Sequence, residues 1–225
     1  MVENRGNVLP VYVVADESGS MAPVVDELNA GLAALHRALL REPMAAAKVR
    51  FTILGFADDV QVRLTLADLR AEATLPQLST RGGTSYGAAL RALRERIPDD
   101  VAALKEQGFA VFRPAVFFLT DGQPTDEPHW RAEHAGLTDK ETTRAAPNII
   151  ACGIGEANAK TVLAIATRPE FAFVATPGTE LGLAIAEFSV ALTKSVVASA
   201  RTATTDSMEL VVERPDNFVM AVDVV

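Results

Sequence analysis

Apolar runs of strand length alternate along this chain with segments in which apolar residues recur every three or four positions, the pattern of a parallel sheet covered by helices. The first strand is expected over residues 9–15. Pro23 then opens a helix at its first turn, Val25, Leu28, Leu32, Leu35 and Leu39 form its buried stripe, and Pro43 stops it. Residues 48–56 read as the second strand. The turn at 57–59 leads into 60–66, where apolar and polar residues alternate strictly, predicting a half-exposed edge strand joined as a hairpin. A polar loop through Arg81, Gly82 and Gly83 precedes a helix over about 85–96 that carries Leu90, Leu93 and Ile97 on one face. Residues 115–119 are apolar throughout and need cover on both faces.

Strands over 148–154 and 170–175 follow, with a helix over about 158–167 between them. A last helix over about 180–199 buries Leu181, Ile185, Phe188 and Leu192. The whole predicts a doubly wound, Rossmann-like α/β fold: a mainly parallel sheet of about six strands with one antiparallel edge, and helices on both faces. One domain is expected over residues 1–200. Residues 201–225 form an extension in which two apolar runs, 208–213 and 218–225, flank a turn at 214–217 and predict a short β-hairpin that covers a sheet edge or docks another protein.

Composition narrows the function classes. The chain has 225 residues, 49% of them hydrophobic, and a net charge of -8 from 21 basic and 29 acidic side chains. Without clustered Lys and Arg to neutralise phosphates, nucleic acid is not expected as a partner. The first nine residues lack the apolar core of a signal peptide, and no run approaches the roughly 20 apolar residues of a membrane span, so a soluble cytoplasmic protein is expected. The single cysteine, Cys152, lies in an apolar run and reads as a buried strand thiol.

Three loops carry the candidate chemistry: DESGS at 16–20, GGTS at 82–85 and TDGQPTD at 120–126. The first and third follow strands directly, where open sheets form their ligand crevices. They offer the carboxylates of Asp16 and Asp121 and the hydroxyls of Ser18, Ser20 and Thr84. An all-oxygen set suits Mg2+ or Mn2+ first, with Ca2+ as a further option, and disfavours zinc and copper. The competing reading for any one loop is a helix cap, and for Gly82 and Gly83 ordinary turn glycines. His129, Glu133 and His134 make a weak zinc set, because neighbouring helix positions do not face one way. His36 reads as a surface or boundary residue, and Trp130 either packs under the third loop or faces a partner.

Asp-x-Ser-x-Ser at 16–20, Gly-Gly-Thr at 82–84 and Thr-Asp-Gly at 120–122 resemble, in order and spacing, the three pieces of the metal-ion-dependent adhesion site (MIDAS) of von Willebrand factor type A domains. The resemblance covers roughly residues 9–199. It implies that Ser18, Ser20 and Thr84 bind the ion directly, that Asp16 and Asp121 hold it largely through water, and that the ion captures a Glu or Asp of a partner protein. The run LTDGQPTD at 119–126 with Trp130 is most similar to the cytoplasmic bacterial branch associated with tellurite-resistance and stress gene clusters; the Cys-rich tail some of its members carry is not found in a chain with one cysteine. An alternative from a different class is a Mg2+-dependent phosphohydrolase with Asp16 as nucleophile. Such enzymes want a second carboxylate two residues on, where this chain has Ser18, so a binding module rather than an enzyme is expected.

Overall fold

The computed structural model describes residues 5–204 and 207–224. Its central strand, β1 (Asn7–Asp16), is flanked in parallel by β2 (Val49–Phe56) and β5 (Ala115–Thr120), with Val11 opposite both Phe51 and Ala115. β3 (Val60–Ala67) runs antiparallel to β2 at one edge. On the other side β6 (Asn148–Gly153) and β7 (Ala172–Ala175) continue the sheet in parallel, and β8 (Phe218–Met220) closes it antiparallel to β7. A two-residue strand, β4 (Ala110–Val111), pairs with the start of β1. The six expected strands are all present, β8 falls within the expected C-terminal run 218–225, and β4 is added to them.

Side chains alternate across a strand, so β1 feeds two cores. Leu9, Val11, Val13 and Ala15 pack on one face with Leu28, Leu32, Leu35 and Leu39 of α1 (Val25–Leu40) and with Ile185, Phe188 and Leu192 of α6 (Leu181–Thr202). Tyr12 and Val14 pack on the other with α3 (Tyr86–Glu106), α4 (His129–Thr138) and α5 (Ala159–Ile165). By length and apolar content α6 would reach across a bilayer, the one such helix among the described residues. In the fold its apolar stripe instead covers the sheet beside α1.

Several local expectations change. Pro43 does stop α1, but it also opens a four-residue helix, α2 (Pro43–Ala46), because its fixed φ suits the first turn. Helix α3 runs to Glu106 through Pro98: a proline there loses one backbone bond, and burial of Val101 and Leu104 beyond it carries the helix on. His36 is buried, not at the surface; its Nε2 lies 2.8 Å from the Leu69 carbonyl, where the chain after β3 folds over α1. The C-terminal strand pair is present, with β7 as the partner of Phe218–Met220. Residues 208–213 lie extended along α6 instead, Val211 N and Glu213 N donating to the hydroxyls of Ser199 and Ser195. The last residues of the expected run pass from β8 into a 3-10 turn at Ala221–Asp223.

Candidate metal centre

β1 and β5 lie side by side, and their chains leave in opposite directions: β1 leads to α1 on one face, β5 to α4 on the other. That divergence opens a crevice at the carboxyl ends of the two strands. Asp16, the last residue of β1, stands in it with 1% of its surface exposed. Its Oδ1 accepts a bond from Ser18 N at 2.8 Å, which curls the loop, and its Oδ2 accepts from Thr120 Oγ1 at 2.7 Å. Ser18 Oγ and Ser20 Oγ are 3.0 Å apart, and Ser20 Oγ donates to Asp121 Oδ1 at 2.9 Å. Ser18, Ser20 and Asp121 therefore form one contiguous chain of oxygens, and Asp16 joins it through the main-chain nitrogen of Ser18.

Thr84, the fifth, is held by its own main chain. Its carbonyl accepts from Thr125 N at 2.9 Å and Thr125 Oγ1 at 3.1 Å, and Gly19 N donates to Gly82 O at 3.1 Å. A Cβ on Gly122 would sit 3.8 Å from Thr84 Oγ1, so this hydroxyl lies against the turn after Asp121. The helix-cap reading applies to a neighbour: Ser85 caps α3 by accepting from Ala88 N at 3.1 Å, and Gly19–Met21 and α1 begin without a side-chain cap. Ser18, Ser20 and Asp121 are not spent on helix ends.

The electrostatics are unbalanced. Burial pushes the Asp16 carboxyl up from its ordinary range, with the Asp121 charge adding to the effect, and burial does the same at Asp121, which is 5% exposed. No Lys or Arg pairs with either among the described residues. Two carboxylates withdrawn from water with no protein cation, surrounded by hydroxyl oxygens, are a donor set for a hard cation. No three His, Cys, Asp or Glu side chains gather at one point among the described residues, so hydroxyls supply the remainder of the set.

Residues outside the three motifs support this floor. Tyr86 OH lies 3.0 Å from Thr120 Oγ1 and 2.9 Å from Gly122 O, linking α3 to the third loop. Asp126 accepts from Ser85 Oγ at 2.8 Å and from Gly87 N at 2.7 Å. Sequence reasoning missed Tyr86, and it named Thr120 only as part of the third motif without giving it the role of holding Asp16. Trp130 is buried in the packing role, its ring 6.0 Å from that of Tyr86. The weak zinc set is dispersed: His134 Nε2 lies 2.8 Å from Ile165 O, and Glu133 pairs with Arg91 and Arg94. Cys152 is buried, and burial pushes its thiol far above the ordinary range, away from nucleophilic use. An open cleft of about 630 Å³ lies at the opposite end of the sheet, lined by Val101, Phe112, Arg113 and Arg144, away from this chemistry.

Residues 11–123, which include all three loops, match the family described as von Willebrand factor type A domain, and the chain belongs to that family. Solved structures repeat the fold at low identity. Proximal thread matrix protein 1 from the mussel byssus, in a form with a zinc-occupied MIDAS motif, superposes with a TM-score of 0.59 at 18% identity, over 87% of this chain and 48% of that one. The pilus adhesin SpaC from Lactobacillus rhamnosus GG gives 0.65 at 14% identity over 85% and 30%. The manganese-loaded TRAP protein of Plasmodium vivax gives 0.50 at 19% over 72% and 64%. The chain thus spans about half the length of the byssus protein and less than a third of the adhesin. Curated proteins yield no significant match.

Proposed function

We propose that this chain is a divalent-metal-dependent protein-interaction module. Ser18, Ser20 and Thr84 hold the ion through their hydroxyls, and Asp16 and Asp121 hold it largely through water. When bound, the ion supplies an open coordination position for a Glu or Asp of a partner protein. The observation that carries this reading is the pair of buried carboxylates, Asp16 and Asp121, with no protein cation beside them. Mg2+ or Mn2+ is our first choice, with Ca2+ also accommodated by oxygen ligands. The zinc-occupied MIDAS motif of the byssus protein and the manganese-loaded TRAP protein support a divalent ion in general.

The sequence of the third loop with Trp130 supports a bacterial, cytoplasmic setting of the tellurite-resistance or stress type, with a protein as the partner and neither nucleic acid nor membrane. Binding rather than catalysis is our reading. Both oxygens of Asp16 already accept hydrogen bonds, from Ser18 N and Thr120 Oγ1, and Ser18 stands where a phosphohydrolase wants its second carboxylate. Affinity capture followed by titration of the identified partner tests the proposal. Binding is expected in Mg2+ and lost in EDTA, in Asp16→Ala, and when the partner's acidic residue is changed. Equal binding in all of these conditions would overturn it.

A further inference from the structure

We infer that Glu17, which touches none of the candidate ligand atoms, is a positioning residue that sets the separation of the first and second loops and so the affinity for the ion. The inference rests on the metal reading above. Glu17 lies between Asp16 and Ser18, and its side chain is fully buried. Its Oε1 accepts from Arg63 Nη2 at 2.8 Å and from Ser79 N at 3.0 Å, and its Oε2 accepts from Arg81 Nε at 2.8 Å. Its main chain is engaged as well: Glu17 N donates to Phe56 O at 2.7 Å, and Arg81 N donates to Glu17 O at 2.6 Å.

These contacts strap residues 79–81 to the first loop, and the bond from Gly19 N to Gly82 O continues the strap to within two residues of Thr84. Arg81 reaches further, donating through Nη2 to Gly55 O at 2.9 Å and pairing with Asp59. The end of β2 is shaped to receive the carboxylate: a Cβ on Gly55 would come within 2.2 Å of Glu17 Cδ. A buried ion pair is a poor stabiliser compared with a well-packed apolar group, so stability alone is a weak reason to keep Glu17 there. What the clamp does provide is a fixed distance between Ser18 and Ser20 on one side and Thr84 on the other. Ligands held in place before binding do not have to be ordered at the moment of binding.

The clamp also explains how the Glu17 carboxylate coexists with Asp16 and Asp121 at this end of the sheet. Arg63 and Arg81 compensate Glu17, leaving Asp16 and Asp121 as the uncompensated pair. Because Arg63 belongs to the edge strand β3, the clamp carries a mechanical link from the sheet edge to the ion loops.

Mn2+ titration of the full chain, followed by electron paramagnetic resonance well below the unfolding temperature, tests this inference. A thermal melt in EDTA accompanies each variant. Glu17→Gln is expected to weaken Mn2+ binding by about 10-fold to 100-fold, the usual cost of losing an outer-shell partner, and to broaden the bound-Mn2+ spectrum. Arg81→Lys keeps the charge but loses the fork that spans Glu17, Gly55 and Asp59, and is expected to weaken Mn2+ by about 10-fold; it decides the question if Glu17→Gln does not fold. Wild-type Mn2+ affinity in these variants, with a lowered melting temperature alone, would reduce Glu17 to a structural role and overturn the inference. Asp16→Asn separates the two layers: if it binds Mn2+ like the wild type, the metal reading itself fails, whereas loss in Asp16→Asn with retention in Glu17→Gln removes only the role of Glu17.

Discussion

Phe118→Ala is expected to lower the unfolding free energy by about 3–5 kcal/mol, as truncation of a fully buried aromatic does where the surroundings cannot collapse. Phe118 is 0% exposed on β5, opposite Val14 of the central strand. Its ring lies 5.0 Å from Phe56 and 5.2 Å, edge to face, from Tyr86. β1 and β6 bound it within the sheet, and α3 covers it, so the cavity has rigid walls. The effect reaches the ion loops because Tyr86, the ring that loses this contact, holds Thr120 and Gly122 through its hydroxyl. Urea unfolding should show a lower midpoint with an unchanged slope. A loss under about 1.5 kcal/mol, the range of a well-tolerated core swap, would mean that this core is looser than the packing implies.

The second large effect concerns Asp16→Asn and has two signs. In the metal-free protein at neutral pH the variant is expected to be at least as stable as the wild type, because the charge removed is one that burial disfavours. The direction follows from linkage. The folded-state pKa of Asp16 is raised above its ordinary 3.8, so the folded chain binds that proton more tightly than the unfolded chain does. The Asp16 contribution to metal-free stability is therefore favourable near and below pH 3.8 and is lost as pH rises through the raised folded value. In Mg2+ the order reverses: the wild type gains stability by mass action, and the variant, with affinity reduced by about 100-fold or about 2.7 kcal/mol, gains little. Melting curves of both proteins in EDTA and in Mg2+, from pH 4 to pH 7, read all four conditions. The Mg2+ gain of the wild type should shrink toward pH 4. An Asp16→Asn protein that unfolds grossly in EDTA would contradict the view of this carboxylate as an ion ligand and make it a structural group.

These carboxylates are more deeply placed than their loop positions in the sequence suggested. Asp16 and Asp121 are buried, closed in by Thr120, Ser20 and the turn at Gly122. What the sequence made legible was local. The half-exposed edge strand β3, the stripe of α1 and the hydroxyl spacing at 18 and 20 all depend on residues a few positions apart. The long-range parts were not readable: Glu17 meets Arg63 and Arg81 only after β2 and β3 fold back beside the first loop, and the need for glycine at position 55 follows from that contact. The same holds for His36, which is buried by a segment 33 residues away, and for the apolar run 208–213, whose backbone bonds to side-chain hydroxyls of α6 rather than to a neighbouring strand. The helix expected to end near residue 96 runs on through Pro98 to Glu106, because burial of Val101 and Leu104 beyond it outweighs the local cost of the proline.

The central claim is that Asp16, Ser18, Ser20, Thr84 and Asp121 together hold one divalent ion. A crystal grown in Mn2+ and examined by anomalous scattering tests it most directly. The account predicts a single peak in the crevice between the ends of β1 and β5, in bonding contact with the hydroxyls of Ser18, Ser20 and Thr84 and linked to both carboxylates. A crevice without a peak at saturating Mn2+, or a peak bound by other residues, would contradict it.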